Sequence, residues 1–97
     1  FRGGRDGFVA ALKAEGLPAR PGYLEEPLYN VPMLKNRTAF PGTHYPFDLA
    51  PLREPECPGA EAYLANTVVL PVSEFYGAET LAGYAQALEK VASGLSA

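Results

Sequence analysis

The chain has 97 residues, enough for one domain, and its 47% hydrophobic share supplies a small core that fifteen alanines make thin. Eight Lys and Arg against eleven Asp and Glu give a net charge of −3 with no basic run, which argues against a nucleic-acid partner. No apolar stretch approaches the roughly 18 residues of a membrane span, and the start, FRGGRDGF, lacks the apolar region of a signal peptide, so neither a membrane partner nor export is expected. The single cysteine cannot form an internal disulfide, which fits a reducing compartment. Because residue 1 is Phe rather than Met, the chain is expected to be a fragment of a longer protein.

Gly3 and Gly4 free the backbone to enter a helix expected over about 5–15, with Asp6 complementing the dipole in its first turn. Phe8, Val9 and Leu12 mark its buried face. Gly16 falls where a left-handed terminal residue is wanted, which sets Leu17 against Leu12 as the apolar pair of a Schellman motif. Residues 17–20 read as a short extended segment that Pro18 and Pro21 confine to an edge or to irregular structure.

From Pro18 to Pro58 the chain carries nine of its ten prolines, so regular elements there must be short. Tyr23, Leu28, Tyr29, Val31, Met33, Leu34, Phe40, Tyr45 and Phe47 are interleaved through that stretch, which is too apolar for a free linker. A proline-rich loop over about 18–57 is therefore expected to lie against something, as functional or partner-bound loops do.

The stretch CPGAEAYLANTVVLP, residues 57–71, is the one around which the remainder is expected to be arranged. Pro58 suits the first position of a helix, and Cys57, a poor capping residue, reads as packed. Ala60, Tyr63, Leu64 and Thr67 then share one helical face that needs a partner, while Val68, Val69 and Leu70, closed by Pro71, read as a buried strand. Leu81, Tyr84, Leu88, Val91 and Leu95 define a final amphipathic helix from about Glu79. The expected fold class is α+β, with two flanking helices and the Pro58 helix packed on a short sheet.

Chemistry-bearing residues are few. His44, Asp48 and Cys57 could form a nucleophilic set, yet they carry no local signature of one, and a packed cysteine with a solvated loop histidine is the preferred reading. One His and one Cys do not supply the three or four ligands of a zinc site. Glu25 with Glu26, and Glu54 with Glu56, read as solvated charge, and there is no glycine-rich phosphate motif.

In order and spacing, RDGFVAALKAEGLPARPGY, EEPLYNVPML, CPGAEAYLANTVVLP and YGAETLAGYAQALEKV resemble the C-terminal portion of the DegT/DnrJ/StrS-type sugar aminotransferases, over residues 5–91. The CP-x-A-E turn at 57–61, Leu70 with Pro71, and the A-L-E-K-V at 87–91 carry the likeness together. Pro27, Leu28 and Tyr29 followed by Pro32, Met33 and Leu34 are similar to the PLY-x-x-PLF stretch of the branch acting on cyclitols and related amino-sugar precursors.

The resemblance implies a C-terminal small domain of the aspartate aminotransferase-like, fold type I architecture. It implies a cytoplasmic homodimeric parent that uses pyridoxal phosphate to move an amino group from glutamate or glutamine to a keto sugar or keto cyclitol. The Schiff-base lysine, the acid on the pyridine nitrogen and the phosphate donors are then expected upstream, in a large catalytic domain. Lys13, Lys35 and Lys90 match none of the catalytic positions, Lys13 and Lys90 being expected on solvated helix faces, so this chain alone is expected to be inactive. The resemblance further places Tyr29, and after it Tyr23, beside the substrate, the alternative being that both pack with a wet hydroxyl. It also implies a missing strand before the first helix, hence an unpaired sheet edge, exposed loop aromatics and marginal stability for the chain by itself. The competing expectation is a non-catalytic binding module that retains the fold without the catalytic domain.

Overall fold

A computed structural model describes residues 1–50 and 53–96; Pro51 and Leu52, inside the expected loop, and Ala97 lie outside the described residues. Helix is the only extended regular element among the described residues: α1 Gly4–Ala14, α2 Pro32–Lys35, α3 Pro58–Asn66 and α4 Ala78–Leu95, with 3-10 turns at Leu28–Asn30 and Phe47–Leu49. The chain divides into two compact units, one made of residues 1–23 with those from Ala65 onward, the other of residues 24–64.

In the first unit α1 packs on α4. Its core holds all six buried apolar residues of the described chain, Val9, Leu12, Leu17, Ala19, Ala87 and Val91, with Leu12 alone at zero exposure. Phe8, Tyr84, Leu88 and Leu95 pack around them, which places most of the expected helix stripes as read; Leu81, at 45% exposure, lies off that face. The expected Schellman closure forms: the Leu17 N–H bonds Leu12 O at 3.0 Å and the Gly16 N–H bonds Lys13 O at 2.9 Å, with Gly16 at φ 90°. At the far end of α4 the Arg2 N–H donates to Leu95 O at 2.8 Å and its guanidinium to Gly94 O, satisfying terminal carbonyls with a cation.

The expected short sheet does not form, and the α+β assignment with helices packed on it, in the manner of a fold type I small domain, is corrected to a helical one. Of the strand expected at 68–70 only Val69 pairs: it exchanges two N–H···O bonds with Arg20, both 2.9 Å, as an isolated antiparallel bridge. Prolines explain why the ladder stops. The next hydrogen-bonded position on one side would set Pro18 opposite Pro71, and neither has an N–H to give. On the other side Gly22 turns away at φ 75°, its N–H spent on Arg20 O at 3.0 Å. With no sheet to cover it, α3 buries none of its residues, and Cys57, expected to be packed, is exposed.

The second unit has no buried residue of its own among those described and is held by tight turns. Pro32 opens α2 at its first turn, where the absent N–H has no helical partner to lose. Of the loop aromatics, Tyr23, Phe40 and Tyr45 are exposed, the last two with their rings 6.1 Å apart.

Leu12 should therefore dominate stability. Leu12→Ala is expected to cost about 2–5 kcal/mol by chemical denaturation, whereas Leu81→Ala, at an exposed position, should change stability by no more than about 0.5 kcal/mol.

Candidate functional site

Tyr29 sits in the first 3-10 turn, where the Asn30 N–H bonds Pro27 O at 2.9 Å and the Val31 N–H bonds Leu28 O at 3.1 Å. Its hydroxyl donates to Glu61 Oε1 at 2.7 Å, and Glu61 occupies the first turn of α3, its own N–H bonded to Cys57 O at 3.1 Å. Pro58 starts that turn, so the helix opening that the sequence marks is also what presents the carboxylate. The Glu61 carboxylate, by holding the phenolic proton, raises the Tyr29 pKa above its ordinary value; partial desolvation pushes the same way, and a backbone hydrogen bond at Cys57 opposes both.

Tyr29 lines a cleft of about 470 Å³ formed within the second unit, with Leu28, Leu34 and Phe47 as apolar wall. Lys35, Arg37, Arg53 and Glu54 bring charge to it. Arg37 and Glu54 form an ion pair at 3.4 Å, with Glu54 94% exposed, a loose surface contact of small energy. Arg37 closes α2 with a second Schellman pattern: the Thr38 N–H bonds Met33 O at 3.0 Å and the Arg37 N–H reaches Leu34 O at 3.4 Å. Its φ of 55° is left-handed, a conformation that costs a non-glycine residue about 1 kcal/mol or more. His44 stabilises the arrangement, its Nδ1–H donating to Arg37 O at 3.0 Å.

Among the residues singled out from sequence, Tyr29 is in this cleft. Tyr23 belongs to the first unit, is 82% exposed, and is not one of the residues lining the cleft. His44 is engaged with Arg37, the Asp48 N–H bonds His44 O at 3.3 Å, and Cys57 is exposed, so the structure gives this trio no shared catalytic geometry. Among the described residues no group of three or more His, Cys, Asp or Glu is placed to hold a metal. Glu61, Arg37, Arg53 and Glu54 are the site residues that sequence reasoning gave no role. Glu61 stood in the CP-x-A-E turn without a role, Glu54 read as solvated charge, and an arginine gives no signal for a left-handed cap.

The cofactor implied by the resemblance does not fit the lysines present. A Schiff-base lysine and its acidic partner need a site shielded from water, and no polar or charged side chain is buried among the described residues. Lys13 and Lys90 are exposed on helices, Lys90 paired with Glu15 at 2.7 Å, and Lys35 is exposed at the end of α2. The chain has no match among protein-family models, curated proteins or solved structures. No helix among the described residues is long and apolar enough to cross a membrane.

The raised Tyr29 pKa fixes a sign for pH dependence. With a folded-state value above the unfolded one, the Tyr29–Glu61 contribution is fully present below the ordinary tyrosine value and is lost as pH rises through the folded value. Spectrophotometric titration should show Tyr29 ionising above the ordinary tyrosine value, as should Tyr84, which desolvation raises, and Glu61→Gln should return Tyr29 alone toward the ordinary value; a titration curve that Glu61→Gln leaves unchanged would mean that the bond does not hold the proton.

Proposed function

We propose that the chain is the C-terminal portion of a DegT/DnrJ/StrS-type, pyridoxal-phosphate-dependent aminotransferase. The intact cytoplasmic homodimer moves an amino group from glutamate or glutamine to a keto sugar or keto cyclitol. The observation that carries this reading is the hydrogen bond from Tyr29 to Glu61. It joins the EEPLYNVPML segment to the CPGAE turn, two of the stretches on which the resemblance rests, at the wall of a cleft of small-ligand size. In this reading the large domain brings the lysine and the cofactor, and the present chain contributes pocket wall and closure. Tyr29 faces substrate; Tyr23, at the boundary of the other unit, is the second candidate.

A binding module acting without a catalytic domain is the second reading. It is favoured by one observation: the described lining residues of the cleft all belong to one unit of this chain.

The upstream reading frame separates the two. A large domain with its Schiff-base lysine supports the enzyme, and a start codon immediately before Phe1 removes it. Two measurements follow. The 97-residue chain titrated with pyridoxal phosphate should give no saturable absorbance of an internal aldimine, and a stoichiometric borohydride-trapped adduct at Lys13, Lys35 or Lys90 would overturn the division of labour. In the intact enzyme Tyr29→Phe should lower kcat/KM by roughly two- to tenfold, the worth of one hydrogen bond, with a loss of stability no larger than that one bond. Full activity with early melting would make Tyr29 a packing residue.

A further inference from the structure

The chain as a whole carries a charge of −3, yet three of its eight cationic side chains, Lys35, Arg37 and Arg53, line one cleft whose single lining acid among the described residues is Glu54. The lining therefore holds a surplus of two positive charges. Glu61, beside the cleft through its bond to Tyr29, accepts the Tyr29 hydroxyl and is occupied there. A concentration of one sign of charge against apolar walls raises the local concentration of the opposite sign and marks a binding surface more than a folding device.

Arg37 adds an observation of a different kind. Both α1 and α2 end in the same Schellman pattern, and α1 meets its left-handed requirement with Gly16 at φ 90° while α2 meets it with Arg37 at φ 55°. Glycine is the residue that fits such a position without strain. An arginine held there by backbone bonds and by His44, lining the cleft and paired with Glu54, is a stability sacrifice at a place where charge is gathered. Its present counter-ion is Glu54, which is 94% exposed and 3.4 Å away, an internal carboxylate easily displaced by a stronger anion.

We infer that this cleft binds a small molecule bearing a dianionic phosphate monoester on an apolar or ring-shaped body, with Arg37 as the anchor, Lys35 and Arg53 completing the charge, and Glu54 competing for Arg37 in the empty state. Two negative charges match the lining surplus, the planar guanidinium offers paired donors to phosphate, and Leu28, Tyr29, Leu34 and Phe47 receive the body of the ligand. The cleft volume of about 470 Å³ admits a molecule of that size. Every group named lies within residues 24–64, so the inference does not rest on the aminotransferase reading.

The test is titration of the full chain at constant ionic strength, followed by amide NMR, with phenyl phosphate, benzoate and inorganic phosphate as probes. Phenyl phosphate should bind saturably with shifts confined to residues 28–37, 47 and 53–55, at least about fivefold more tightly than either of the others, since benzoate lacks the second charge and inorganic phosphate the body. Arg37→Gly should weaken phenyl phosphate roughly tenfold or more while holding or raising Tm, because glycine relieves the left-handed strain. Glu54→Gln should tighten binding a few-fold by removing the competitor. If Arg37→Gly does not fold, Arg53→Gln carries the same expectation of weakened binding. Unsaturable or scattered shifts, benzoate binding as well as phenyl phosphate, Arg37→Gly binding like the parent chain, or Glu54→Gln weakening binding would each overturn the inference.

Discussion

The first unit depends on the contact between Leu12 and Leu17 made possible by Gly16. Without a left-handed residue at that point α1 would run on or fray, and the chain could not fold back over its own last turn. Once it does, Leu17 and Ala19 land on the fully buried Leu12, and Ala87 and Val91 of α4 close the other side. The small side chains at 19 and 87 let backbone and helix approach closely, so a core of few residues still excludes water. The same reversal carries Arg20 to Val69, the one β-type pairing in the described chain.

Why that pairing remains a single bridge is a matter of donors. An antiparallel ladder grows by setting hydrogen-bonded pairs two residues apart, and the growth position here pairs Pro18 with Pro71. Val68, Val69 and Leu70 have the composition of a strand, and a reading of 68–71 by itself yields one. Both prolines were visible in the sequence, but their being opposite each other is a fact of register, which a chain read in one dimension does not show. Long periodic elements were legible for the converse reason: α1 and α4 each repeat their apolar spacing over several turns, and Gly16 sits at the one place where a stop is needed. Of the stripe expected on one face, Ala60, Tyr63 and Leu64 lie on α3 and Thr67 falls just beyond it, and α3 buries none of its residues, because helical periodicity says which residues share a face and nothing of what lies against it.

The candidate site was legible in part. Tyr29 stood out through its resemblance segment, and Pro58 announced the helix that presents Glu61, but the 32-residue separation between the bonded pair has no sequence signal. Arg37 was less legible still. The two helix ends that share one backbone geometry differ in residue, and where local propensity and structure disagree in this way the usual reason is that a side chain is wanted for something other than stability. The second unit buries nothing among its described residues, so its shape is carried by turns and by polar links that include Tyr29–Glu61, Arg37–Glu54 and His44–Arg37. A unit held in that way can adjust around a ligand more readily than the packed pair of helices in the first unit.

The central claim is that the two resemblance segments are physically coupled through Tyr29 and Glu61. A double-mutant cycle of Tyr29→Phe and Glu61→Gln, read by chemical denaturation at neutral pH, measures that coupling directly. The account predicts overlapping losses, the double variant being no less stable than the weaker of the single variants. Strictly additive losses would show that the two side chains act independently, and the site built on their bond would not stand.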